Sequence, residues 1–95
     1  MINSITVDLT PFYERQPWGV IYHDYETDTV IDSDYCADIE DCLSSLNEHR
    51  DNFHYVCTVD FILPDTPYDV DHIVEEIACH FDELGIAGWG CRIEN

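Results

Sequence analysis

The sequence predicts an α+β domain with elements in the order β-β-β-α-β-α-β. The expected sheet is mixed, largely antiparallel and four- to five-stranded, with two helices on one face. Two observations carry this. Several segments alternate apolar and polar residues with the period of a strand that buries one side, and two others carry an apolar stripe at helical spacing. The 95 residues are 45% hydrophobic with two Trp, six Tyr and four Phe. That is enough for one core in one domain, residues 1–95, and too aromatic for a disordered chain.

Ile2 to Leu9 alternates through Ile5, Val7 and Leu9 and reads as a strand. Thr10 to Pro17 reads as a loop between Pro11 and Pro17. Trp18–Asp24 and Thr29–Asp32 read as a hairpin turning near Tyr25–Asp28. Ile39, Cys42, Leu43 and Leu46 then fall at i, i+3, i+4 and i+7, a helix running to His49 or Arg50 with Ser33 or Asp34 as its cap. Phe53, Tyr55, Cys57, Val59, Phe61 and Leu63 share one face of the clearest strand, which Pro64 stops. Thr66-Pro67-Tyr68-Asp69 starts the second helix: Thr66 caps, Pro67 suits the first helical position and Asp69 reaches back. Val70, Ile73, Val74, Ile77, Phe81 and Leu84 form its apolar stripe, and Gly85 is its stop. Trp89, Cys91 and Ile93 alternate in a last strand.

The charge is unusual. There are 21 Asp plus Glu, three Arg (Arg15, Arg50 and Arg92) and no Lys, a formal net charge of -18. A one-sign surface repels itself, so a strongly positive partner is expected, and such surfaces mostly hold nucleic acid. The same charge excludes direct binding to DNA or RNA and to anionic membranes. The acids are arranged as well as numerous. Eight lie between Asp24 and Asp41, and eight more between Asp60 and Glu83, with no Lys or Arg in either stretch. Asp34, Asp38, Asp41 and Glu48 are expected to share the outer face of the first helix. Asp71, Glu75 and Asp82 share that of the second, with Glu76 and Glu83 alongside. Carboxylates four apart on a helix are about 6 Å apart along the axis, and two apart on a strand about 6.6 Å, on the scale of successive phosphates.

Other sites are weak by comparison. Asp24-Tyr25-Glu26-Thr27-Asp28 opens like an EF-hand loop, but Thr29 replaces the turn glycine and Tyr35 the bidentate Glu. His72, Glu76 and His80 step by four beside Cys79 without a further ligand, so no metal and no cofactor is expected. There is no phosphate-binding Gly-rich loop and no nucleophile elbow, and no catalytic residue is assigned. Five scattered cysteines, no basic-then-apolar leader and no membrane-length run predict free thiols in a cytoplasmic protein. Trp18, beside Arg15, is expected to be exposed for contact.

The acid-rich stretches 24–41 and 60–83, with the small size, resemble phage and mobile-element DNA mimics, the anti-CRISPR and anti-restriction proteins. The resemblance is to a functional class and involves no alignable motif. It implies non-catalytic inhibition in the host-cell cytoplasm by occupying the DNA-binding groove of a basic partner, a CRISPR effector or restriction complex. The contact residues expected on that reading are Asp24, Glu26, Asp28, Asp32, Asp34, Asp38 and Asp41, with Asp71, Glu75 and Asp82 as a second row. The alternative is an immunity protein or antitoxin against a basic nuclease toxin. A third reading is salt adaptation, which the ten Ile, the many aromatics and the five Cys disfavour.

Overall fold

The computed structural model describes residues 1–10, 18–64, 71–85 and 89–94. Among the described residues, five strands and two helices follow in the expected order: β1 (Ile2–Asp8), β2 (Trp18–Asp24), β3 (Thr29–Cys36), α1 (Ile39–His49), β4 (Phe53–Pro64), α2 (Asp71–Glu83) and β5 (Trp89–Glu94). A 3-10 turn, Arg50–Asn52, joins α1 to β4. The class is α+β with a mixed sheet, as the periodicities predict.

The strands lie in the order β3-β2-β1-β4-β5. The meander β1-β2-β3 is antiparallel, while β4 runs parallel to β1, and β5 parallel to β4. Register places Ile5 beside Tyr22 and Val59, and Val7 beside Val20 and Phe61. All six are buried, so this is the core face. One hydrophobic cluster unites it with Cys42 and Leu46 of α1 and Ile73, Ile77 and Phe81 of α2, which puts both helices on the same face. Phe61 and Phe81 meet with ring centroids 6.0 Å apart. Truncating either to Ala would cost about 3–5 kcal/mol, from lost transfer energy and the cavity left behind.

The helices run side by side in the same direction. Asp38 and Glu40 at the start of α1 line one groove with His72 and Ile73 of α2. Near the other ends, the His80 ring hydrogen-bonds the Asn47 side chain at 3.1 Å. Gly85, at φ 78, takes the left-handed conformation after α2 that any side chain would strain, and its N–H reaches the Asp82 carbonyl at 3.1 Å.

Three expectations are corrected. Trp18 is buried, 2% exposed, because it shares the core face of β2 with Val20 and Tyr22. The second hairpin strand continues to Cys36, four residues past Asp32. Neither Ser33 nor Asp34 caps α1, since both lie in β3; Asp38 is the cap, its carboxylate accepting the Asp41 N–H at 2.9 Å. The loop to Pro17 and the Thr66-Pro67 helix start lie outside the described residues, apart from Thr10, whose hydroxyl and N–H bond Asp8.

Candidate interaction surface

The ten acids singled out in the sequence divide by environment. Asp24 and Asp34 are half-buried and the other eight are exposed. Asp24, Asp32, Asp34, Asp38 and Asp41 carry structural bonds as well as charge. In the hairpin, Asp24 accepts the Glu26 N–H at 2.9 Å and the Asn3 amide at 3.3 Å, and lies 3.7 Å from the N-terminal ammonium. The turn closes with the Asp28 N–H on the Tyr25 carbonyl at 3.3 Å, and Asp28 holds a φ of 51, a conformation Asp tolerates better than bulkier residues.

Asp38 and Asp41 form a reciprocal cap. While Asp38 accepts from Asp41, the Asp41 carboxylate accepts the Ala37 N–H at 3.2 Å. With Glu40 they set three negative charges at the positive end of the helix dipole, which offsets part of their mutual repulsion.

Asp34, expected on the first helix, lies instead on β3 with Asp32. Asp32 and Asp34 pair with Tyr22 and Val20 across β2–β3, so they share the helix-covered face at its outer edge. There α1 meets them. The Ser45 hydroxyl donates to Asp34, and with its one proton so committed, it accepts from the Tyr22 hydroxyl at 2.6 Å. The result is a relay Tyr22 to Ser45 to Asp34 from the core to the rim. Burial pushes the Tyr22 phenol well above its ordinary pKa; the Ser45 bond opposes this and the Asp34 charge adds to it.

His49, the last residue of α1, completes the cluster. One ring nitrogen, Nδ1, donates to the Ser45 carbonyl at 2.8 Å, and Nε2 meets Asp32 Oδ2 at 2.8 Å. Two acceptors on two nitrogens favour the imidazolium over either neutral tautomer. Partial burial lowers the ring's pKa, but the Ser45 carbonyl, the Asp32 bond and the charges of Asp34 and Asp32 outweigh it, and the net direction is upward. Asp32 moves the other way, held down by the His49 bond and then by the Ser33 N–H. Asp32, Asp34 and His49 also offer three ligand atoms within 4.8 Å, the one such group among the described residues that could hold a metal ion. A proton alone satisfies their geometry. The His72, Glu76 and His80 trio instead lines an open groove with Leu43 and Cys79.

Neither Ser45 nor His49 was singled out in the sequence. The available signal was Ser45 falling on the buried side of the α1 stripe, next to Leu46. Three thiols, Cys36, Cys42 and Cys57, are free and buried and behave as small hydrophobes, whereas Cys79 is exposed. Burial pushes the Cys57 thiol up to about 11.

Compared with family models, curated proteins and solved structures, the chain matches none at a significant level. No helix among the described residues is long and apolar enough to cross a membrane.

Proposed function

We propose that this chain is a non-catalytic inhibitor that imitates nucleic acid and occupies the basic DNA-binding surface of a defence complex, first of all a CRISPR effector, in the host-cell cytoplasm. The observation that carries the reading is the net charge of -18 with no Lys. The arrangement of acids supports it. Of the side-by-side helices, α1 carries Asp41 behind its cap Asp38 and α2 carries Asp71, Glu75 and Asp82, and the hairpin adds Glu26 and Asp28. Such rows would match the spacing of phosphates that Lys and Arg side chains normally neutralise.

The test is a gel shift. Adding the purified chain to an effector bound to its DNA should release the DNA uncut. A stable ternary complex of chain, effector and full-length target DNA would overturn competition for the groove.

A further inference from the structure

The outer strand β3 is built unlike the rest of the surface. It ends the sheet, hydrogen-bonding only β2 among the described strands. Apart from Met1, every exposed large hydrophobic among the described residues lies on β3 or the turn before it: Tyr25, Val30 (56% exposed), Ile31 (44%) and Tyr35 (82%). Val30 and Tyr35 line a hollow on the face of the sheet opposite α1 and α2, together with Asp8, Gly19, Ile21, Ser33 and the edge residue Asp34. Gly19 pairs directly with Tyr35, and among the described residues nothing lies within 4 Å of where its Cβ would be, so the sheet is open at that position. A long edge with apolar side chains invites another strand, and proteins blunt it with charges, Pro or bulges. β3 has no Lys or Pro; it bulges where its pairing passes from Tyr22 to His23, and its edge charges, Asp32 and Asp34, are all negative.

Charge decides what can pair there. A second copy would bring a strand as acidic as β3 itself against Asp32 and Asp34, and like charges across strands are destabilising. A basic strand meets the opposite situation: main-chain bonds along the edge, carboxylates for its Arg or Lys, and an apolar seat beside Tyr35.

We propose that β3 is a docking edge that takes up an extended basic segment of the partner protein as a sixth strand, anchored on Tyr35 and Val30. This rests on the basic partner proposed above and names the part of that partner which is held.

The probe is a capped seven-residue peptide alternating Arg and Val, titrated into the isotope-labelled chain at low salt. The control is the same peptide N-methylated at alternate residues, which keeps its charge but cannot complete the edge bonds. Amide shifts and slowed hydrogen exchange should concentrate at residues 29–36. N-methylation should weaken binding at least about tenfold, and Tyr35→Ala about fivefold with the fold unchanged. Equal binding of the two peptides, or shifts centred on α1 and α2 instead, would overturn the docking edge. The gel shift separates the two proposals. DNA release unaffected by Tyr35→Ala removes the docking edge alone, whereas peptide pairing without any DNA release removes the mimicry alone.

Discussion

The His49 ring lies flat on that of Tyr22. Their centroids are 4.0 Å apart with planes 17° from parallel, while the free edge of the imidazole meets Asp32 at 2.8 Å. Stacking and the Ser45 carbonyl fix the ring's position, so its second nitrogen can only point at β3. The last turn of α1 is thereby fastened to the outer strand by a cation at the negative end of the helix.

This fastening predicts a pH dependence. The folded pKa of His49 is raised, so its contribution is complete below the unfolded value of about 6.5 and is lost as pH rises through the folded value. The folded pKa of Asp32 is lowered, so its contribution is present above about 3.9 and is lost as pH falls through the folded value. Both operate between about pH 4 and 6.5. Denaturant melts should show stability rising as pH drops from 8 to 6, with a smaller rise in His49→Gln. An NMR titration placing His49 at or below an ordinary histidine value would show that the bridge is not ionic.

The relay of Tyr22, Ser45 and Asp34 should be non-additive. Ser45→Ala strands the buried Tyr22 hydroxyl and should cost about 1–3 kcal/mol in urea unfolding. Tyr22→Phe should then cost less in the Ser45→Ala background than alone, because no partner is left to lose. Additive costs would mean that the two hydroxyls are satisfied independently.

Asp38 cannot be reversed without consequence, although its exposed position at the start of α1 invites that. Asp38→Ala should cost about 1 kcal/mol through loss of the cap, and Asp38→Asn only a few tenths, because Asn caps equally well. Asp38→Lys with Asp41→Lys adds cations at the wrong end of the dipole, a further cost of about 0.3–1 kcal/mol each. Thermal melts order the series. A stable double-Lys variant would show that repulsion among the acids outweighs the capping. Glu75→Lys and Asp82→Lys, exposed on α2 beyond its first residues, are the cleaner charge reversals for binding assays.

Salt should act on the rate of association with a basic partner. Exposed charges are screened over roughly 8–10 Å at physiological ionic strength, so rim carboxylates chiefly speed encounter. Stopped-flow association should slow steeply between low and high salt while dissociation changes little. A flat association rate would leave the apolar edge as the whole of the binding.

How far the sequence could be read follows from which residues are buried. The alternation from Phe53 to Leu63 and the stripes of both helices were legible because each buries one side, and burial writes a period. β3 buries only Cys36 fully. Its acids alternate with other exposed residues, so Ser33 and Asp34 look like a helix cap and the strand looks four residues shorter. Asp34 therefore moves from the expected helix face to the strand edge. Trp18 sits between Pro17 and Gly19, which resembles a loop, yet it continues the buried series of Val20 and Tyr22. The His49 contact joins residues 17 apart in sequence through a helix end and a strand edge. No local pattern marks such a meeting. Strand order is equally hidden, because β1 buries the same face whichever strand flanks it.

The position of β1 has a consequence for how the domain is made. The earliest strand to be synthesised is the middle strand of the finished sheet, where Ile5 must wait for Val59. The meander of β1, β2 and β3 can form at once from neighbouring segments, but one side of β1 stays unpaired until β4 has emerged. Pairings so distant along the chain make folding slow, and meanwhile an open apolar edge is a hazard for aggregation. The high negative charge would then protect the growing chain by keeping its copies apart. Loss of β5 would remove only a border of the sheet, whereas loss of β1 would cut it in two.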